Sequence, residues 1–160
     1  LDALRELKEE GRAVCCDLFG PIWPKNKEEV ESALEATRNA NYGGVLDPED
    51  VIPTLRDYDA LVLPTFYQGE GHPGVIIEAM IAGIPVITTD YRSIPELVVQ
   101  NQNGWLVPPN DAAAVADAVR EMDTDRGKLC ALARSHWNRR DEFDVDRVAP
   151  QLLRQMGVQL

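Results

Sequence analysis

The chain has 160 residues, 44% of them hydrophobic, which is enough for one buried core and short of the length that usually forces a second. A single domain over residues 1–160 is expected. A formal net charge of -11 argues against a nucleic-acid partner, since phosphates favour basic surfaces, and apolar runs such as Val75 to Ala82 are far shorter than the roughly 20 residues that cross a bilayer.

In chain order, LDALRELKEEGR is an amphipathic helix pattern without the basic-then-apolar layout of a secretory signal. It starts without Met and in mid-pattern, as a piece of a longer protein would. Strands are predicted at Ala13 to Gly20, Tyr42 to Leu46, Asp59 to Pro64 and Pro85 to Asp90. Crossover helices are predicted at Lys27 to Ala40, with Val30, Ala33, Leu34 and Thr37 on one face, and at Pro48 to Asp57, with Val51, Ile52 and Leu55. Asp111 is placed to cap a helix whose stripe is Ala114, Val115, Ala118, Val119 and Met122. The alternation predicts an α/β fold, a Rossmann-like parallel sheet with helices on both faces. Cys15, Cys16 and Cys130 show no metal spacing and no disulfide framework, and read as small buried hydrophobes in a reducing compartment.

In such sheets ligands sit outside the carboxyl ends of the strands. Here those ends bring together Gly20-Pro21, Leu46-Asp47, the segment from Thr65 to Gly74, and Asp90 before YRSIPE. The most informative stretch is Glu70 to Pro85, EGHPGVIIEAMIAGIP. Gly69, Gly71 and Gly74 let main-chain N–H groups approach a ligand, and Pro73 suits the first turn of a helix. The start of that helix is an anion site fitted to phosphate. Glu70 and Glu78 bracket it, and carboxylates accept hydrogen bonds from sugar hydroxyls. Hydroxylated rings on either side of a phosphate describe a nucleotide sugar.

At these residues the chain resembles the family-4 (group 1) retaining glycosyltransferases of GT-B fold, in their C-terminal, donor-binding domain. The resemblance rests on Tyr42-x-Gly44, DALVLPT at Asp59 to Thr65, Glu70 and Glu78 as E-x7-E, EAM followed by AGIPVITTD, IPELV at Ile94 to Val98, and NGWLVPPND at Asn103 to Asp111. It implies that Glu70 is the catalytic residue meeting hydroxyls of a donor hexose, and that Glu78 holds the ribose. Main-chain groups of Gly71, His72, Pro73, Gly74 and Val75 would meet the diphosphate, those of Gly44, Val45 and Leu46 the base, and Thr65 joins this donor-binding set. The implied reaction transfers a hexose-type sugar with retention and no obligatory metal or cofactor. The implied partners are the sugar nucleotide and an N-terminal acceptor domain, with the product a polysaccharide or glycolipid intermediate made in the cytoplasm, possible peripheral membrane association placing it at the inner membrane face.

Three departures stand out. A first strand with a loop carrying Arg and Lys toward the diphosphate, and the acceptor domain, would lie before Leu1, so the chain alone is expected to be inactive. Arg92-Ser93 stands where the family has a Gly pair. The aromatic residue that often opens the last helix is replaced near Asp144-Val145. Other residues carry plainer expectations: His72 orders its loop or contacts the sugar rather than acting as a base, His136 is a surface or packing residue, and Trp137 is a core anchor. Arg134, Arg139 and Arg140 form a solvated face, or one turned to the missing domain or an anionic membrane. Asp90 and Glu96 suggest a hydrolase pair, which the Gly-rich cradle disfavours, and Glu96 suits a helix start. The rival functions are a non-catalytic nucleotide-sugar module and a GT-B-like sugar-nucleotide epimerase.

Overall fold

Short apolar runs alternating with amphipathic stretches are realised as parallel strands beneath helices in the computed structural model, which describes residues 1–157. The order is α1 (Asp2–Glu9), β1 (Cys16–Phe19), α2 (Lys27–Glu35), β2 (Ala40–Gly44), α3 (Pro48–Leu55), β3 (Leu61–Leu63), α4 (Gly74–Ala82), β4 (Val86–Thr89), α5 (Ile94–Leu97), β5 (Gly104–Val107), α6 (Ala112–Thr124), α7 (Arg126–Arg139) and α8 (Val145–Gln155). Every strand pair is parallel. The strands fall into two sheets, β1-β2 and β3-β4-β5, with Val86 of β4 opposite both Leu61 of β3 and Gly104 of β5.

Side chains of period two divide the larger sheet between two cores. Ile87, Trp105 and Val107 face α1, α6 and α7 through Leu7, Ala116, Val119, Leu129 and Leu132. Val86, Leu61, Leu63 and Leu106 face the other way, onto Ile76 and Met80 of α4 and Ile94 and Leu97 of α5. All four residues of β4 are buried, as expected of a central strand covered on both faces. Polar ties hold the first layer: Trp105 Nε1 donates to Glu121 Oε2 at 2.7 Å, and Arg120 clamps Glu6 and Glu10 of α1. Lys128 beside Glu121 holds that carboxyl below the usual range. Asp111 caps α6 as expected, accepting from Ala114 N at 2.9 Å.

Several expectations are corrected. The second strand sits two residues earlier than Tyr42 to Leu46, because Gly44 turns the chain with φ +83°. The first crossover helix stops at Glu35 instead of Ala40, since a turn closed by Ala40 N to Thr37 O at 2.9 Å feeds β2 directly. A fifth strand, β5, lies in the NGWLVPPND motif, whose turn residues mask its four-residue apolar run. The cysteines are not buried: Cys15 and Cys130 are exposed and Cys16 is intermediate. Cys130 lies off the inner stripe of α7, which is Leu129, Leu132 and His136. Trp137 is 43% exposed, not a core anchor. Arg140 stacks over its ring at 4.1 Å, and half-buried Arg139 donates to the Leu97 carbonyl at 2.7 Å, so only Arg134 keeps the solvated role expected of the three.

Gly83 ends α4 in the left-handed conformation, φ +77°, with its N–H shared between the Ala79 and Met80 carbonyls. A Cβ there would meet the Trp137 ring at 3.2 Å. Gly83→Ala is therefore expected to lower unfolding free energy by about 1–2 kcal/mol in a urea titration, the cost of forcing an L-residue into that region.

His136 is fully buried under the C-terminal end of α4, near the Ala79 and Ile84 main chain, and neither ring nitrogen has a well-formed hydrogen bond. Burial pushes its pKa down to about 4. The unfolded chain, with histidine near 6.5, then binds the extra proton first, so this contribution is complete above about pH 6.5 and is lost as pH falls toward 4. Urea titrations across that window should show a loss on the order of 2–3 kcal/mol, and His136→Leu should flatten that segment of the profile.

Candidate functional site

The loop that leaves β3 is held from its first residue. Thr65 Oγ1 donates to Glu70 Oε2 at 2.9 Å and accepts the Tyr67 N–H at 3.2 Å. Its carbonyl accepts the Thr89 hydroxyl at the end of β4, and Thr88 Oγ1 donates to Leu63 O at 2.8 Å. β3 and β4 thus present their carboxyl ends as one edge, and Glu70 is oriented by a hydroxyl instead of hanging in solvent.

Next, His72 Nε2 lies 3.0 Å from Glu96 Oε2 on α5, which fixes the Gly-rich turn to the loop after β4. The contact occupies Glu96, leaving exposed Asp90 without the partner a hydrolase pair would need. Pro73 is the cap residue of α4, one position earlier than expected, buried and with φ -60°. It offers no side-chain cap, so the first N–H groups of α4 at Gly74 and Val75 remain for a ligand. Beyond the adjoining backbone, no atom of the described residues lies within 4 Å of where a Cβ would stand at Gly71 or Gly74, so the cradle opens onto free space.

Glu78 lies one turn into α4, half-buried, and its carboxylate makes no hydrogen bond or ion pair among the described residues. A carboxylate partly withdrawn from water with no partner is poised for hydroxyl donors. Gly44, Val45 and Leu46 lie at the carboxyl end of β2, in the other sheet, and no hydrogen bond joins them to the Glu70–Val75 segment among the described residues. Gly44 accepts from Gly20 N at 2.9 Å while Tyr42 Oη donates to Gly20 O at 2.8 Å, so the β1 and β2 ends form a second stapled edge.

Sequence reasoning missed two parts of this architecture. Asp17 accepts Tyr58 Oη at 2.6 Å and Asn41 Nδ2 at 2.9 Å, which holds its carboxyl below the usual range and pushes the Tyr58 hydroxyl up to about 12. Nothing in their spacing signals the contact. Phe66 and Tyr67, 58% and 70% exposed beside Glu70, were legible as an aromatic pair within a ligand loop. Among the described residues no group of three or more His, Cys, Asp or Glu could hold a metal.

Parallel strands under helices, with a Gly-rich turn and an uncapped helix start at their carboxyl edge, define a Rossmann-like α/β domain. The family model for glycosyl transferases group 1 matches residues 1–125, and the chain belongs to that family. It is 35% identical over 133 residues to a putative colanic acid biosynthesis glycosyltransferase, WcaL, of Escherichia coli K12, covering 78% of this chain and 33% of that protein. It is 33% identical over 128 residues to a glycogen synthase of Mycobacterium tuberculosis, covering 79% and 30%. The chain thus spans about a third of the length of these relatives. Among solved structures, Anabaena HepE in complex with UDP superposes with a TM-score of 0.86 at 20% identity over 98% of this chain and 44% of that one. The C-terminal domain of a group 1 glycosyl transferase, LpcC, from Francisella tularensis gives 0.71 at 24% over 85% and 72%. The fold is that of GT-B glycosyltransferase domains.

Thr65→Val removes both hydrogen bonds that seat the Glu70 loop. It is expected to lower stability by about 1 kcal/mol per bond lost, read from the urea midpoint, and to speed proteolysis within residues 66–72.

Proposed function

We propose that this chain is the donor-binding domain of a two-domain glycosyltransferase that moves a hexose-type sugar from a nucleoside diphosphate sugar to an acceptor hydroxyl with retention and without an obligatory metal. The observation that carries it is the uncapped start of α4 at Gly74, framed by a hydroxyl-seated Glu70 on one side and an unpartnered Glu78 on the other. The α4 N–H groups receive the diphosphate, Glu78 accepts from ribose hydroxyls, and Glu70 accepts from the hexose. The Gly44–Leu46 edge takes the base. HepE, solved with UDP, supports a nucleotide ligand for this fold, and WcaL, a putative colanic acid biosynthesis glycosyltransferase, supports polysaccharide assembly as the setting.

In such a transfer the bond from the anomeric carbon to the diphosphate oxygen breaks as the acceptor oxygen bonds on the same face of the sugar. The acceptor proton passes to the departing phosphate oxygen. Negative charge grows on the diphosphate, so donors aimed at it in advance supply most of the rate enhancement. His72, paired with Glu96, keeps the main chain of the cradle in place.

A calorimetric titration with uridine, guanosine and adenosine diphosphates and their sugar conjugates tests this assignment. One base should bind saturably. Glu78→Ala should weaken that nucleotide by about 1.5–3 kcal/mol, the worth of a charge-assisted hydrogen bond, and Glu70→Ala should leave it unchanged while reducing transfer by the full-length enzyme. Equal loss of nucleotide in both variants would refute the division of roles.

A further inference from the structure

A diphosphate placed at the start of α4 meets an acidic neighbourhood. Glu70, Glu78, Asp90 and Glu96 all belong to the segments that form this edge. Between Arg56 and Arg120, a stretch that holds β3, α4, β4, α5, β5 and their connections, the only Lys or Arg is Arg92. Three cations of α7 are committed elsewhere. Arg126 pairs with Asp59 and Lys128 reaches Asn101 and Glu121, with Asp59 and Asn101 at the opposite, amino ends of β3 and β5, while Arg139 holds the Leu97 carbonyl and Glu142.

The loop that carries Arg92 is stapled to the phosphate cradle at both ends. On one side Thr89 bonds the Thr65 carbonyl, and on the other Glu96 pairs with His72 at 3.0 Å. Arg92 is exposed, has no carboxylate partner among the described residues, and rests over the Tyr91 ring at 5.5 Å. Its backbone is left-handed, φ +51°, a conformation that glycine and asparagine adopt readily and that disfavours a long side chain such as arginine. Glycine would occupy this position without strain. An arginine kept there, free of internal partners and beside a cradle for anions, has its chemistry directed outward.

Resting on the donor-site assignment above, we infer that Arg92 binds the terminal phosphate of the nucleoside diphosphate and is the cation that this part of the chain itself brings to that charge. A planar guanidinium can engage two phosphate oxygens at once, and it offsets the repulsion from the surrounding carboxylates.

The test uses this chain and the variants Arg92→Gly, Arg92→Asn and Arg92→Lys, titrated calorimetrically with uridine, guanosine and adenosine diphosphates, each against its monophosphate. Glycine and asparagine both tolerate positive φ, so loss of charge is separated from loss of fold, and the Arg92→Gly melting temperature should equal or exceed that of the unaltered chain. For the base that binds, the Gly and Asn variants should bind the diphosphate at least tenfold more weakly and the monophosphate within twofold of the unaltered chain, with Lys intermediate. Unchanged diphosphate affinity, or equal weakening of diphosphate and monophosphate, overturns the assignment to Arg92 while leaving the donor site standing. If the unaltered chain binds none of the nucleotides, the donor-site assignment fails and this inference falls with it.

Discussion

The structure depends on β4, a four-residue strand buried on every side. Its backbone pairs with β3 and β5, its apolar side chains Val86 and Ile87 belong to different cores, and its two threonines tie hydroxyls to the main chain of β3 and of the loop beyond it. Burying a hydroxyl costs free energy unless it is hydrogen-bonded, and here both bonds run across the strand boundary toward the functional edge. The strand that joins the two cores therefore also sets the position of Thr65, and through it Glu70. Rigidity at the site follows from burial behind it.

Around that strand, polar contacts on the two ends of the sheet have different characters. At the amino ends and on the outer helices they are saturated: Arg120 with Glu6, Glu10 and Asp117, Lys128 with Glu121, and Arg126 with Asp59. At the carboxyl edge one carboxylate is seated by a threonine, one is held by a histidine, and Glu78 and Arg92 have no polar partner among the described residues. Exposed ion pairs add little stability, so pairing at the far side costs little to arrange. Unpaired groups at the carboxyl edge of a parallel sheet are the ones a ligand can engage.

Much of this was legible in one dimension because it depends on local chemistry. The Gly-rich turn followed by an apolar run announces a loop opening into a helix, and Asp111 before an alanine-rich run announces a capped helix. Periodicity located the first four strands to within a few residues. It failed where short-range signals compete, as in β5, whose apolar run is flanked by Asn, Gly and Pro, and at the end of α2, where a turn before β2 stops the helix before its apolar pattern runs out. The cysteines and Trp137 were misjudged because residue type sets only an average burial. Position on the helix face decides the actual one, and Cys130 and Trp137 lie off the inner stripe of α7.

By itself the sequence determined the alternation of strands and helices, the parallel class of the sheet, and the Gly-rich turn that runs into the apolar helix from Gly74, since each rests on spacing within one segment. Only the tertiary structure decided the pairings between distant segments: Thr65 with Thr89, His72 with Glu96, Asp17 with Tyr58, and the burial of His136 beneath α4. It also divided the strands into two sheets and set Arg92 in a strained loop beside the cradle. The physical reason is that backbone propensity and hydrophobic period act over a few residues, whereas hydrogen-bond partners and desolvation are properties of the packed chain.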